Sequence, residues 1–262
     1  MGKPKVFVLF GFGINCDYET QYAFNVVGAE AERIHFNELA AAPEMLQDYH
    51  IFVIPGGFSF GDDIASGKVL ANKLRTKVGD ALHRFVEQGR LVLGICNGFQ
   101  VLVKMGLLPN LDGDYSQSAT LTYNDSNKFE DRWVYLEVNR RSPCVFTRGI
   151  ECMYLPVRHG EGKFFVEDEA VLRTLEEEGL VVFRYTDPWG RRAGYPWNPN
   201  GSVNNIAGIC NRQGTVLGMM PHPEAYNHPT NHPRWTREPV PEEGEGLRIF
   251  RNAVRYAERH LM

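Results

Sequence analysis

Three short stretches, KVFVLF at residues 5–10, HIFVIP at 50–55 and RLVLGI at 90–95, are almost unbroken runs of β-branched, aromatic and aliphatic side chains. A strand with one wet face alternates apolar and polar residues, so runs without alternation belong to strands covered on both faces. Helical patterns lie between them. Asp17 is placed to cap a helix whose apolar positions Tyr22, Ala23, Val26 and Val27 fall three to four apart, with Gly28 as its stop. DALHRFVEQG repeats the plan with Leu82, Phe85, Val86 and Gly89. Strands alternating with helices give an α/β fold, an open and mostly parallel sheet flanked by helices.

From about Ala119 the texture changes. ATLTY, RWVYLEV, MYLPV and KFFV are separated by polar or glycine-bearing turns, which predicts antiparallel strands added to the parallel sheet in the second half. RIFRNAVRYAERHLM closes the chain as an amphipathic helix with Ile249, Phe250, Ala253, Val254 and Ala257 on one face. We read residues 1–262 as a single domain with a proline-rich loop insertion around 225–246. Three of the four tryptophans, Trp189, Trp197 and Trp235, fall in irregular segments, where a lid, a contact surface and a fold-back onto the core are all open readings.

A formal charge of −4 and the lack of a Lys/Arg stripe argue against a nucleic-acid partner. VFVLFGFGI is short for a membrane span and holds two glycines, and Val6 stands where a myristoylation signal wants Ser or Thr. No membrane association is expected, and the chain reads as cytoplasmic. The five cysteines are scattered and contain no CxxC pair, so reduced thiols and no zinc finger are expected.

Chemistry concentrates at strand ends. Cys96 follows a buried strand and precedes a helix, at the sheet edge where open α/β folds bind ligands. Gly94 and Gly98 flank it in the G-x-C-x-G spacing of a nucleophile elbow. A small buried thiol beside packing glycines is the other reading. TVLGMM, a further strand-like run, leads into PHPE, where Pro223 biases His222 to an extended backbone and Glu224 comes within reach of its ring. A cysteine nucleophile needs a base to take its proton and a carboxylate to orient that base, and Cys96, His222 and Glu224 are of those types. A solvated loop or part of a metal site are the alternatives for His-x-Glu; prolines after His228 and His232 speak against a helical ligand pair, and no metal is assigned. After the strand at 50–55, PGG offers the Gly57 amide, which with that of Asn97 forms a candidate oxyanion hole, a plain tight turn being the alternative. GDDIASGKV departs from a phosphate loop in spacing and at Val69, so no cofactor is expected here and any ATP site belongs to another polypeptide.

PGG, GICNGFQ and PHPE in that order resemble the class I glutamine amidotransferases, which implies a flavodoxin-like sheet. Asn97 after the nucleophile, YNDSNKFEDRWVYLEV, LPVRHGEGKFF and PNGSVNNIAGICNRQGTVLGMMPHPE are similar to the glutaminase subunits of phosphoribosylformylglycinamidine synthase. The likeness runs from Pro55 to Glu224, and GINCDYE carries it back to the first strand. It implies that Cys96 attacks the side-chain amide of glutamine, forming a γ-glutamyl thioester and releasing ammonia, then glutamate. It further implies a synthetase partner that holds ATP and magnesium and uses the ammonia on formylglycinamide ribonucleotide, with a small accessory subunit. Gln100 would touch the glutamine substrate, and His159 and Gly160 would line its pocket. The segment Tyr226–Gly246 departs from the family's compact members. A stand-alone γ-glutamyl peptidase, or a redox sensor or chaperone using Cys96, are the rival functions.

Overall fold

The computed structural model describes residues 2–262. The three apolar runs form β1 (Lys5–Phe10), β3 (Ile51–Ile54) and β4 (Leu91–Ile95), buried along nearly their whole length. Helices α1 (Asp17–Val26) and α3 (Lys68–Glu87) separate them, together with β2 (Glu30–His35) and the short α2 (Phe36–Ala41). Parallel pairing of β2 with β1, β1 with β3 and β3 with β4 satisfies the backbone groups of strands whose two faces are both apolar.

The second half adds β6 (Glu130–Val138), β7 (Cys152–His159), β9 (Val181–Thr186), β10 (Ile206–Cys210) and β11 (Val216–Met219) to the same sheet. The order across its nine strands is β2-β1-β3-β4-β11-β10-β9-β6-β7. β11 lies parallel to β4, and every pairing beyond it is antiparallel. β5 (Ala119–Tyr123) and β8 (Glu161–Val166) depart from the sequence expectation, since they pair only with each other in a separate two-stranded sheet. Helix α4 (Asn97–Lys104) lies under that ribbon and α5 (Glu169–Glu177) follows it.

Two local readings are corrected. Asp17 is the first residue of α1 rather than its cap; Cys16 holds the capping position, and the Asp17 carboxylate instead pairs with Arg33 at 3.0 Å. The buried face of α1 is Asp17, Thr20, Ala23 and Phe24, while Tyr22 and Val26 point to solvent. A polar pair across elements thus outweighed the apolar stripe read from spacing.

The closing helix α6 (Leu247–His260) buries all five of its expected apolar positions. Phe250 packs edge-on against Phe24 of α1 at 4.9 Å. The long loop before it is closed at its neck, because the amide of Gly246 donates to the carbonyl of Tyr226 at 3.0 Å and that of Gly244 to Asn227. Trp189 and Trp235 are exposed, whereas Trp197 is half-buried and lies near Tyr135. Among the described residues no helix is long and apolar enough to cross a membrane.

Candidate active site

The turn at Cys96 is built by packing. An added Cβ on Gly98 would stand 1.8 Å from the Ile54 carbonyl, and one on Gly94 would stand 2.7 Å from the Gly98 backbone. Only glycine at both positions lets β3, β4 and the start of α4 approach this closely. Between them Cys96 adopts φ 50, ψ −105, outside the regions open to ordinary L residues. Such a conformation costs about 1–3 kcal/mol and persists only where its surroundings enforce it. Here the Cys96 amide donates to the Met219 carbonyl at 2.8 Å, locking the turn to the end of β11.

That same neighbour strand delivers the imidazole. Met219 is in register with Ile95, so the chain leaving β11 reaches His222 beside Cys96. His222 is extended, as Pro223 demands, and its amide donates to Pro156 of β7 at 2.8 Å. β7 is the far edge of the sheet, so the antiparallel half curls back over the carboxyl ends of the parallel strands. Glu224 reaches the ring from a single 3-10 turn, Pro223–Ala225, and its Oε1 lies 2.5 Å from Nδ1.

His222 is 2% and Glu224 1% exposed, a level of burial that an isolated carboxylate would not survive in ionised form. Burial opposes a charged imidazole, but Glu224 and the thiols of Cys96 and Cys16 outweigh it and hold the His222 pKa well above the ordinary range. With Nδ1 occupied by Glu224, Nε2 is left buried without an aligned partner. The Cys96 thiol donates to the Arg158 carbonyl at 3.6 Å and is at the same time a neighbour of the His222 ring. Sulfur, imidazole and carboxylate are therefore neighbours at the strand ends.

Gly57 has φ 148, and a Cβ there would meet the Gly13 carbonyl at 2.6 Å. Neighbouring bonds, Phe58 N–H to Gly13 and Asn15 N–H to Gly56, leave the Gly57 amide outside the ladder. Asn97 opens α4, so its amide has no intrahelical acceptor. Among the described residues neither amide has a hydrogen-bond partner. Two free N–H groups on adjacent strand ends, one at a helix N-terminus, suit an anionic oxygen.

The Asn97 side chain faces inward, accepting from the Ser59 amide and donating to Asp62 and to Gln100 Oε1 at 3.0 Å. The Gln100 amide in turn donates to the Glu161 carbonyl, so both ends of Gln100 are held by protein. His159 is buried at the end of β7, its Nδ1 3.0 Å from Asn124 Oδ1 and its Nε2 unpartnered. Burial and the nearby His222 push its pKa down to about 3, which makes it neutral. Gly160 is half-buried at the β7–β8 turn, where its carbonyl accepts from Asn124.

Sequence reasoning missed several supports. Asp62 and Ser66 tie the PGG loop to α4 and to Glu161, whose Oε2 accepts from the Ser66 amide at 3.2 Å. Lys104, buried beneath them, has its pKa lowered by burial while Glu161 and Asp62 pull it back. Asn124 holds both strands of the β7–β8 turn, accepting from Gly162 and donating to His159. Cys16 lies beside the His222 ring. None of these has a spacing signal, because each acts across a long stretch of chain.

A family described as the CobB/CobQ-like glutamine amidotransferase domain matches residues 3–257. The phosphoribosylformylglycinamidine synthase subunit PurQ of Dehalococcoides mccartyi is similar at 49% identity over 258 residues, spanning 98% of this chain and 99% of its own. The chain belongs to the PurQ family. The subunit PurQ of Methanococcus maripaludis strain C5 is 44% identical over 266 residues, with 97% of this chain and 98% of that protein covered. A chain in the solved structure of PurLQS from Thermotoga maritima superposes with a TM-score of 0.72 at 30% identity, covering 97% of this chain and 99% of that one. The parallel sheet expected from the apolar runs, extended by antiparallel strands, is thus the glutamine amidotransferase fold.

Proposed function

We propose that this chain is the glutaminase subunit of phosphoribosylformylglycinamidine synthase, and that Cys96, His222 and Glu224 carry its chemistry. The observation that carries the reading is the buried grouping of thiol, imidazole and carboxylate at the strand ends that also carry the free amides of Gly57 and Asn97. His222 Nε2 takes the Cys96 proton while Glu224 holds Nδ1–H and stabilises the imidazolium. The thiolate adds to the side-chain carbonyl of glutamine, and the developing oxyanion lies against the Gly57 and Asn97 amides. Collapse breaks the C–N bond as the imidazolium protonates the leaving nitrogen, which gives ammonia and a γ-glutamyl thioester. Water, deprotonated by the same imidazole, hydrolyses the thioester to glutamate and restores the thiol.

Gln100, His159 and Gly160 belong to the pocket wall in this reading. His159, neutral and with one free ring nitrogen, is equipped to bond a polar group of the substrate, while Gln100 fixes the Asn97 turn. The ammonia serves a synthetase partner of the PurL kind, assembled with a small PurS-like subunit, which converts formylglycinamide ribonucleotide to formylglycinamidine ribonucleotide. ATP and magnesium belong to that partner, in keeping with the departures from a phosphate loop at residues 61–69. A nucleophilic thiol among five free cysteines suits the reducing cytoplasm.

Reconstitution tests this. Glutamine-dependent turnover by the assembled subunits must disappear in Cys96→Ala, while ammonia-dependent turnover persists; retention of glutamine-dependent turnover refutes the mechanism. A diazo-ketone analogue of glutamine must add once, at Cys96. The peptidase reading predicts full hydrolase activity without any partner, and the redox-sensor reading predicts no adduct.

A further inference from the structure

One surface cavity is lined by arginines and holds no acid. About 300 Å³ in volume, it lies between the carboxyl half of α6 and the turn at residues 147–150, and its lining includes Arg148, Asn252, Arg255, Tyr256, Arg259 and His260. The turn is a rigid wall. Its Ile150 amide donates to the Thr147 carbonyl at 3.0 Å, Arg148 has φ −56 and ψ 126, and Gly149 takes the positive φ of 72 that the second central position of a type II turn requires. Helix α6 clamps both central residues, since the Asn252 side-chain amide donates to the Arg148 carbonyl at 2.9 Å and the Arg248 guanidinium to that of Gly149 at 3.0 Å. Arg255 and Arg259, one helical turn apart, line the opposite wall, and the rings of Tyr256 and His260 lie 4.6 Å from each other beside them.

Cavities of similar size elsewhere hold carboxylates beside their arginines, Glu44 and Asp80 in one and Glu137 and Glu176 in another. Here there is none, and among the described residues Arg148, Arg255 and Arg259 form no ion pair. Arg259 and His260 also offset the negative end of α6, but that role calls for neither Arg255, a turn earlier, nor Arg148 on another element. Like charges gathered in one cleft repel, and an anion relieves the repulsion; the planar guanidinium fork fits phosphate oxygens in pairs. A volume at the low end of the range of about 300–1,000 Å³ for small-molecule sites favours a small solute over a protein segment. We propose that this cleft binds a small phosphate monoester, its dianionic group held by Arg148, Arg255 and Arg259 and its organic part against Tyr256 and His260. None of these residues belongs to the deamidation machinery, so the cleft stands apart from the proposed function.

Isothermal titration calorimetry of the full chain at low ionic strength, with ribose 5-phosphate as the probe, tests the cleft. Binding should saturate at one equivalent and weaken as salt is raised. Arg148→Gln, Arg255→Gln and Arg259→Gln should each weaken it about tenfold or more, whereas Arg148→Lys, which keeps the charge and loses the fork, should fall between. Arg173→Gln, an equal loss of charge on the exposed side of α5, should leave affinity unchanged. Ribose should give no heat, and inorganic phosphate should bind more weakly than the ester. Each altered side chain is exposed, so the thermal midpoints without ligand should match the parent's and establish that the variants are folded. Absence of saturable binding, its retention in folded Arg148→Gln and Arg255→Gln, or an equal loss in Arg173→Gln overturns the site. So does inorganic phosphate binding as tightly as the ester, or a hexaglutamate peptide binding where ribose 5-phosphate does not, which would make this face a docking surface for an acidic partner.

Discussion

Cys96 and His222 are held by opposite means. Cys96 sits in one unbroken stretch, Leu91–Lys104, where a buried strand, two glycines and a helix force its backbone into a strained turn. His222 has an ordinary extended backbone and is placed by contacts from elsewhere: β11 beside β4, the Pro156 carbonyl, the Glu224 carboxylate and the Cys16 thiol. Strain is local and encoded by neighbours in sequence. Alignment of His222 is distributed across the fold.

The comparison yields experiments of decreasing size. Cys96→Ala should lower glutamine-dependent turnover about ten-thousand-fold or more without disturbing ammonia-dependent turnover, measured on the reconstituted assembly. Glu224→Gln should cost about a thousandfold, since the ring loses the acceptor that fixes its tautomer. If that variant matched the parent, the carboxylate would be structural only. Gly98→Ala should destabilise the chain by about 2–3 kcal/mol, read from denaturant midpoints, because its methyl overlaps the Ile54 carbonyl. Cys96→Gly should do the opposite, raising stability by about 1–3 kcal/mol as the positive φ ceases to cost anything, while turnover is lost. An unchanged midpoint would mean that the elbow stores no strain.

The smallest effect separates the two buried histidines by pH. The His159 pKa falls from 6.5 to about 3 on folding, so below about pH 6.5 the unfolded chain binds a proton that the folded chain refuses. Its contribution is complete above that pH and is lost at about 1.4 kcal/mol per unit as pH falls toward 3. For His222, raised on folding, the contribution is present below about pH 6.5 and lost as pH rises through its raised value. Urea midpoints followed through the acid range should therefore fall less steeply in His159→Gln than in the parent. Parallel curves would show that His159 is not buried neutral.

What could be read in the sequence follows the same division. The runs at 5–10, 50–55 and 90–95 announced β1, β3 and β4 because burial on both faces leaves a composition signal. The face of α6 was legible because burial on one side imposes a single helical period. Asp17 was misread because its partner Arg33 lies on another element, and β5 and β8 were misplaced because a short polar strand carries no mark of which sheet it joins. The pairing of His222 with Glu224 was visible from two residues' spacing, although the turn that achieves it is 3-10 rather than extended. Asn124 and Asp62 left no trace, since hydrogen bonds to distant groups impose no local pattern.

The amino-acid order alone determined the parallel core and the elbow at Cys96, because dry strands and backbone crowding act between residues close along the chain. The meeting of Cys96 with His222, the emptiness of the Gly57 and Asn97 amides and the presence of Cys16 at the ring were decided only when the sheet curled. Packing in three dimensions selects which distant groups share a low-dielectric pocket, and it is that shared pocket which sets their protonation.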